Sequence, residues 1–163
     1  MQMRCVLSLL LAVALAAAVP AAARSAGAPA PEPWATVNVC DTTAHPDQIG
    51  IRGNMPGVAR RTKMLVRFRV QFQDGAEWRT VAAADSGWRK VGKGRRGQHD
   101  AGWTFSFDPP AAGGALVLRG LVSYQWRRGE RVVRRERRFT EAGHPGTSGA
   151  DPADFSAATC AIA

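Results

Sequence analysis

The residues with the clearest potential for metal or acid–base chemistry lie together near the start of the chain. Asp41, His45 and Asp47 are ligand-type side chains within one short segment. Carboxylate and imidazole groups can hold a cation or transfer a proton. Beside Pro46, the same residue types are also ordinary turn residues that cap backbone amides. We expect turn capping here; the alternative is a metal site or the catalytic site of an enzyme.

The sequence lacks the known signatures of catalytic and cofactor sites. It contains no GxSxG turn, which exposes the nucleophile of many hydrolases, and no HExxH zinc motif. The segment GKGRRG at 92–97 lacks the GxxxxGK[ST] order of a phosphate loop. We therefore predict no catalytic residue, no metal and no cofactor.

Basic residues form two dense clusters, and these are the candidate anion-binding residues. The chain has 22 Lys and Arg against 13 Asp and Glu, a formal net charge of +9. Arginine makes bidentate contacts with anionic groups, and a cationic protein attracts anionic polymers over long distances. The candidates are Arg89, Lys90, Lys93, Arg95, Arg96, Arg127, Arg128, Arg131, Arg134, Arg135, Arg137 and Arg138.

The second basic cluster also has a purely structural explanation. In the strand predicted at 131–140, Arg134 and Arg138 lie on one face, and Arg135 and Arg137 lie on the other. Charges on both faces cannot lie between two sheets, so we expect an edge strand. Charged edge strands resist edge-to-edge aggregation. The alternative is a ridge that binds an anionic polymer, such as wall glycopolymer, polysaccharide or nucleic acid.

Two tryptophans lie beside the basic clusters. Trp88 and Trp126 have side chains that stack on sugars or bases when they are exposed. We expect both to be core or half-buried strand residues instead.

The first 23 residues have the organisation of a cleavable secretion signal. Arg4 provides a positive start, followed by an apolar run over 6–19 and by small residues up to Ala23, where we expect cleavage. The run is shorter than the roughly 20 residues that span a bilayer. We therefore expect no transmembrane segment after cleavage, and a product that is secreted or retained at the cell wall.

The mature chain is predicted to be a single all-β domain. Residues 24–33 are rich in Ala and Pro and form a linker, and 34–163 are enough for one domain. Alternating apolar and polar residues predict about seven strands and no helix. The strand segments are 34–40, 48–53, 63–73, 77–83, 88–91, 103–107, 116–126 and 131–140, of which 48–53 and 88–91 have the weakest strand pattern. We expect loops at 41–47, 54–57 and 93–100, and a coil over 141–157.

Cysteine usage agrees with export. Removal of Cys5 with the signal leaves Cys40 and Cys160, and an even pair in an oxidising compartment indicates a disulfide. In the chain-entropy account, closing a loop of roughly 100 residues contributes about 4 to 5 kcal/mol. The alternative is a pair of buried free thiols.

The strand pattern resembles the Greek-key β-sandwiches of immunoglobulin and fibronectin type III domains. The segments VNVCDTTAHPDQIGIRGNMPG, SGWRKVG, WRRGERVVRR and SAATC resemble a group of uncharacterised secreted actinobacterial proteins, over nearly all of 34–162. This resemblance implies export and a single domain, and it implies no particular activity.

Three functions compete at this point. We favour a non-enzymatic, monomeric protein with a binding or structural role at the cell envelope or outside the cell, whose partner is an anionic envelope polymer or another extracellular protein. The second is an electrostatic binder of anionic polymers. The third is an enzyme with an unrecognised site.

Overall fold

The structure is a computed structural model that describes residues 31–58, 62–93, 97–111 and 113–163. The predicted signal peptide, most of the predicted linker, Arg95 and Arg96 lie outside the described residues. Residues Pro31–Ala163 form one compact unit. In the described ranges, no helix is long and apolar enough to cross a membrane.

The described part of the chain is built from strands and contains no helix, which confirms the all-β prediction. The strands are β1 (Trp34–Thr42), β2 (His45–Pro56), β3 (Lys63–Asp74), β4 (Glu77–Asp85), β5 (Arg89–Lys93), β6 (Gln98–Ser106), β7 (Leu116–Arg128), β8 (Arg131–Phe139) and β9 (Cys160–Ile162). The prediction of about seven strands is too low. Both weak segments correspond to strands, β2 and β5, and the C-terminal tail contributes β9.

The strands form two antiparallel sheets packed face to face, as expected of a β-sandwich. The smaller sheet has the order β1-β2-β6. The larger sheet has the order β4-β3-β7-β8, with β5 also paired to β3 and β9 also paired to β7. Strands β3 and β7 therefore lie in the middle of the larger sheet, and β8 lies at its edge.

The core lies between the sheets and combines the inward faces of predicted strands with Met55 from a predicted loop and Ile162 from the C-terminal tail. Its largest fully buried side chains are Trp126, Tyr124, Phe68, Ile49, Ile51, Met55, Met64, Leu118 and Ile162. Two of them also join the sheets through hydrogen bonds. Trp126 Nε1 donates to the Pro56 carbonyl over 2.9 Å, and Tyr124 Oη donates to the Trp34 carbonyl over 2.6 Å. Buried polar atoms of the large side chains are thus satisfied across the sandwich.

Strand β2 extends on both sides beyond its prediction, and this corrects two predicted loops. Only Thr43 and Ala44 form the first turn, and NMPG continues the strand as far as Pro56. β2 pairs with β1 on one side and with β6 on the other, so both rows of its backbone groups are satisfied. The same pairing starts β6 at Gln98, within the loop predicted over 93–100. At NMPG and at the start of β6, pairing with a neighbouring strand therefore overrides the local turn signals.

The predicted Cys40–Cys160 disulfide is present, with 5.3 Å between the Cα atoms. The tail reaches it by lying along the free edge of β1. Val37 and Ala157 exchange two backbone hydrogen bonds of 2.9 and 3.0 Å, and β9 then pairs with the start of β7. The tail therefore covers a strand edge that would otherwise be exposed.

Candidate functional site

The acidic and histidine residues near the first turn have local structural roles. The amide of Asp47 donates to Asp41 Oδ1 over 2.8 Å, which confirms the predicted turn capping. His45 Nε2 lies 4.0 Å from Asp151 Oδ2, and the same carboxylate accepts a hydrogen bond from Thr42. Within the described ranges, no group of three or more His, Cys, Asp or Glu could hold a metal ion. These side chains join the first turn to the tail.

Strand β8 lies at the sheet edge, as its charges predict, and its inward face is neutralised by carboxylates. Arg134 Nε lies 3.2 Å from Glu136 Oε1, and Arg138 Nη1 lies 3.3 Å from Glu136 Oε2. Both arginines also pair with Glu32, which lies just before β1. The Arg134 guanidinium lies 4.7 Å from the ring centroid of Trp126. Arg134 and Arg138 therefore close the edge of the core and are not free to bind an anion.

The remaining candidate basic residues have different surroundings. Arg127 pairs with Glu130 at 3.1 Å, and Arg89 lies 4.0 Å from the ring centroid of Trp103. Lys93 ends β5. Among the described residues, no ion pair is formed by Lys90, Arg128, Arg131, Arg135 or Arg137. The two sequence clusters also lie apart, because β5 and β8 are separated by β3 and β7.

The larger sheet has one face toward the core and one face toward solvent, and we call the solvent-facing side the outer face. The register of its strands brings Arg135 and Arg137 of β8 close to two arginines of β3 on this face. Arg67 on β3 is paired with Ser123 on β7, and Ser123 is paired with Arg137 on β8. Side chains of directly paired residues point to the same face, so both arginines lie on the outer face. The neighbouring positions on β3 and β8 add Arg69 and Arg135 to it.

A pocket of about 240 Å³ opens on the outer face, and we call it the arginine pocket. It is lined by Arg67, Arg69, Trp88, Ser123, Tyr124, Gln125, Arg135, Glu136 and Arg137. Four arginine residues thus line one concave site on three adjacent strands, β3, β7 and β8.

The charges around the arginine pocket are only partly compensated. Arg67 Nε donates to Asp85 Oδ1 over 2.8 Å, and this bond holds the pKa of Asp85 below its ordinary value against the opposing effect of burial. Arg69 Nε is buried and has no hydrogen-bond partner. Among the described residues, Arg69, Arg135 and Arg137 form no ion pair. The pocket therefore carries net positive charge.

Trp88 contradicts its prediction, whereas Trp126 confirms it. Trp126 is fully buried in the core, but 41% of Trp88 is exposed at the wall of the arginine pocket. Exposed large apolar side chains often mark binding surfaces when they gather on one face. Phe139, which is 48% exposed, lies on the same outer face opposite Leu121.

A stack of aromatic rings around an arginine occupies the other end of the outer face. The Arg119 guanidinium lies 4.3 Å from the ring centroid of Trp78 and 3.9 Å from that of Phe139. Arg119 Nε also donates to Gln71 Oε1 over 2.9 Å, and burial lowers the pKa of Arg119. This arginine already has its partners, in contrast to those of the pocket.

Two arginines of the arginine pocket were missed as site candidates in the sequence. Arg67 and Arg69 lie on the polar side of the alternation in β3, outside both basic clusters. The alternation signals that they face solvent, but only the pairing of β3 with β7 and of β7 with β8 places them beside Arg135 and Arg137.

Comparison with known proteins yields no family for this chain, because no family model, no curated protein and no solved structure matches it.

Proposed function

We propose that the chain is a non-enzymatic binding domain that works outside the cell or at the cell envelope. The observation that carries the proposal is the outer face of the larger sheet. There, arginines that form no ion pair among the described residues lie together with exposed aromatic side chains, on a sheet whose strand β9 is joined by the disulfide to β1 of the smaller sheet. A surface that needed only solubility would have its charges interspersed with the opposite sign and its aromatic rings buried.

The test is a pull-down from the native cell envelope, with the protein expressed from its full coding sequence and used at low and at high salt. The outer-face variant is Trp88→Ser with Phe139→Ser. The control is Thr104→Ala with Ser106→Ala, on exposed positions of β6 in the smaller sheet. We expect a component that the wild type and the control retain and that the outer-face variant loses. Equal recovery by all three proteins, or recovery of nothing, would reject the outer face as the binding surface.

Electrostatic binding of anionic polymers is the second candidate. It is favoured by candidate residues that form no ion pair within the described part of the chain, namely Lys90, Arg128, Arg131, Arg135 and Arg137. When binding releases counterions, the logarithm of the binding constant falls linearly with the logarithm of the salt concentration. Titration of heparin and of DNA into the protein between about 50 and 200 mM salt should give such a slope if about three or more charges are neutralised. A salt-independent affinity would contradict this candidate.

Export is part of the proposal and has its own test. Mass spectrometry of the protein recovered from outside an expressing bacterial cell should give an N-terminus close to residue 24 and a mass lower than that of the reduced chain by two hydrogen atoms. A product that stays in the cytoplasm with both thiols free would contradict an extracellular role.

A further inference from the structure

The arginine pocket has the charge of an anion-binding site because the nearby carboxylates are already engaged. Asp85 is held by Arg67, and Glu136 is held by Arg134 and Arg138 from the inward side. Among the described residues, no carboxylate forms an ion pair with Arg69, Arg135 or Arg137, although the charge of Arg69 also acts on Asp85. Guanidinium groups match carboxylate and sulfate oxygens through two parallel hydrogen bonds.

Trp88 gives the same pocket a flat apolar wall. Its indole is 41% exposed, although tryptophan is highly buried on average. Among the described residues it takes part in no ring stacking and no cation–π contact, so no aromatic ring or guanidinium group covers its exposed part. Sugar rings and nucleic-acid bases both have faces that pack on an indole.

The arrangement favours a sugar over a nucleic acid. Proteins that bind single strands of nucleic acid offer several aromatic platforms, on which successive bases stack, along a groove that follows the backbone. Here the other two aromatic rings identified on the outer face, Trp78 and Phe139, enclose Arg119 between them. One free ring therefore faces one pocket, and the arginines surround that pocket instead of forming a line.

We infer that the arginine pocket binds a single sugar residue bearing a carboxylate or sulfate group, within an acidic polysaccharide. The sugar ring packs on Trp88, and its anionic group accepts hydrogen bonds from Arg69, Arg135 and Arg137. This inference rests on the proposed function, since such polymers lie outside the cell, and it names the ligand class of that function.

Calorimetric titration of the full-length protein at about 0.15 M salt tests the inference with four probes. An oligogalacturonate carries carboxylates, and a heparin-derived oligosaccharide carries sulfates. A chito-oligosaccharide is neutral, and oligodeoxythymidylate is a phosphate polyanion that offers bases for stacking and has no acidic sugar ring. We expect binding of at least one acidic oligosaccharide, and which of the two binds identifies the anionic group. The neutral sugar and the oligonucleotide should bind at least about tenfold more weakly.

Matched variants separate the pocket from charge in general. Arg135→Gln with Arg137→Gln removes two charges from the pocket, and the control Arg128→Gln with Arg131→Gln removes two exposed charges from the hairpin at the other end of β8. Loss of charge-assisted hydrogen bonds should weaken binding by tenfold or more for the pocket variant, against about threefold or less for the control. Trp88→Ala should weaken it by a similar factor, and Trp88→Phe should restore most of the affinity.

Three results would overturn the inference. Equal losses in the two double variants would mean that binding depends on overall charge, which leaves the electrostatic function standing without this pocket. Pocket-dependent binding of the oligonucleotide that is as tight as that of the sugars would assign the pocket to nucleic acid. No binding of either acidic oligosaccharide would remove the ligand class, and the envelope pull-down would then decide the proposed function independently. Unchanged circular dichroism and thermal unfolding would establish that each variant is folded.

Discussion

The close approach of the two sheets at Gly53 gives a prediction whose size follows from the structure. A methyl group at Gly53 on β2 would lie 2.6 Å from Tyr124 Oη and 3.3 Å from Val122 Cγ1. Tyr124 cannot move away cheaply, because its hydroxyl donates to the Trp34 carbonyl over 2.6 Å and its ring is buried. Gly53→Ala should therefore cost about 1 to 3 kcal/mol of unfolding free energy by overpacking.

A double-mutant cycle identifies the atoms responsible. Tyr124→Phe alone should cost about 1 to 3 kcal/mol, since it leaves the Trp34 carbonyl without this hydrogen bond. In that background the Oη atom is gone, and the nearest ring carbon lies at an ordinary 3.4 Å from the new methyl group. The cost of Gly53→Ala should then fall by at least about 0.5 kcal/mol.

Urea denaturation of the four proteins of the cycle, with midpoints and slopes fitted together, measures these free energies. Gly92→Ala on β5 is the matched control, because its methyl group would lie 3.5 Å from the nearest atom, His99 Nδ1. We expect the control to change stability by about 0.5 kcal/mol or less. A cost for Gly53→Ala no larger than that of the control, or a cost that Tyr124→Phe leaves unchanged, would refute the reasoning.

Three further predictions concern the disulfide, the pocket wall and the core. Reduction of Cys40–Cys160, which spans 120 residues, should lower the free energy of unfolding by up to about 5 kcal/mol. Urea unfolding with and without reductant measures this loss, and a loss below about 1 kcal/mol would contradict the chain-entropy account. Asp85→Asn should cost about 1 kcal/mol or less at pH 7, because the Arg67 pair is partly exposed. The pKa of Asp85 is lower in the folded state, so the stability from this pair is present above about pH 4 and is lost as the pH falls through the folded pKa. The free energies of unfolding of wild type and variant, measured against pH, should therefore converge in acid. A difference that stays constant with pH would contradict this prediction. Trp126→Phe should cost roughly 2 to 4 kcal/mol in thermal or urea unfolding, since it removes a hydrogen bond and leaves a cavity; a change below about 1 kcal/mol would be inconsistent with the buried indole.

Much of the fold is predictable because alternation is a local property of the backbone. Successive side chains of a strand point to opposite faces, so the inward residues of β3 and β7 follow from the order of apolar residues alone. Arginines on both faces of β8 likewise exclude a central position. The cysteine pair is predictable too, since two cysteines lie outside the predicted signal peptide and allow one pairing.

Strand ends and short strands are not predictable in this way. NMPG has the composition of a turn, yet it lies within β2 because β1 and β6 satisfy its backbone on both sides. The strand β9 has three residues, too few for a periodic pattern, and it forms because the edge of β7 and the disulfide hold it in place.

The candidate site is where sequence and tertiary structure differ most. Clusters of arginine are visible along the chain, but neighbours along a strand alternate between faces, so Arg134 and Arg138 turn inward to carboxylates while Arg135 and Arg137 turn outward. The sequence by itself determines the strands, their inward faces, the charge and the cysteine pair, because these depend on local order and composition. The tertiary structure alone decides which arginines keep a free charge and which meet around Trp88, because both depend on the register between strands that are far apart in the chain.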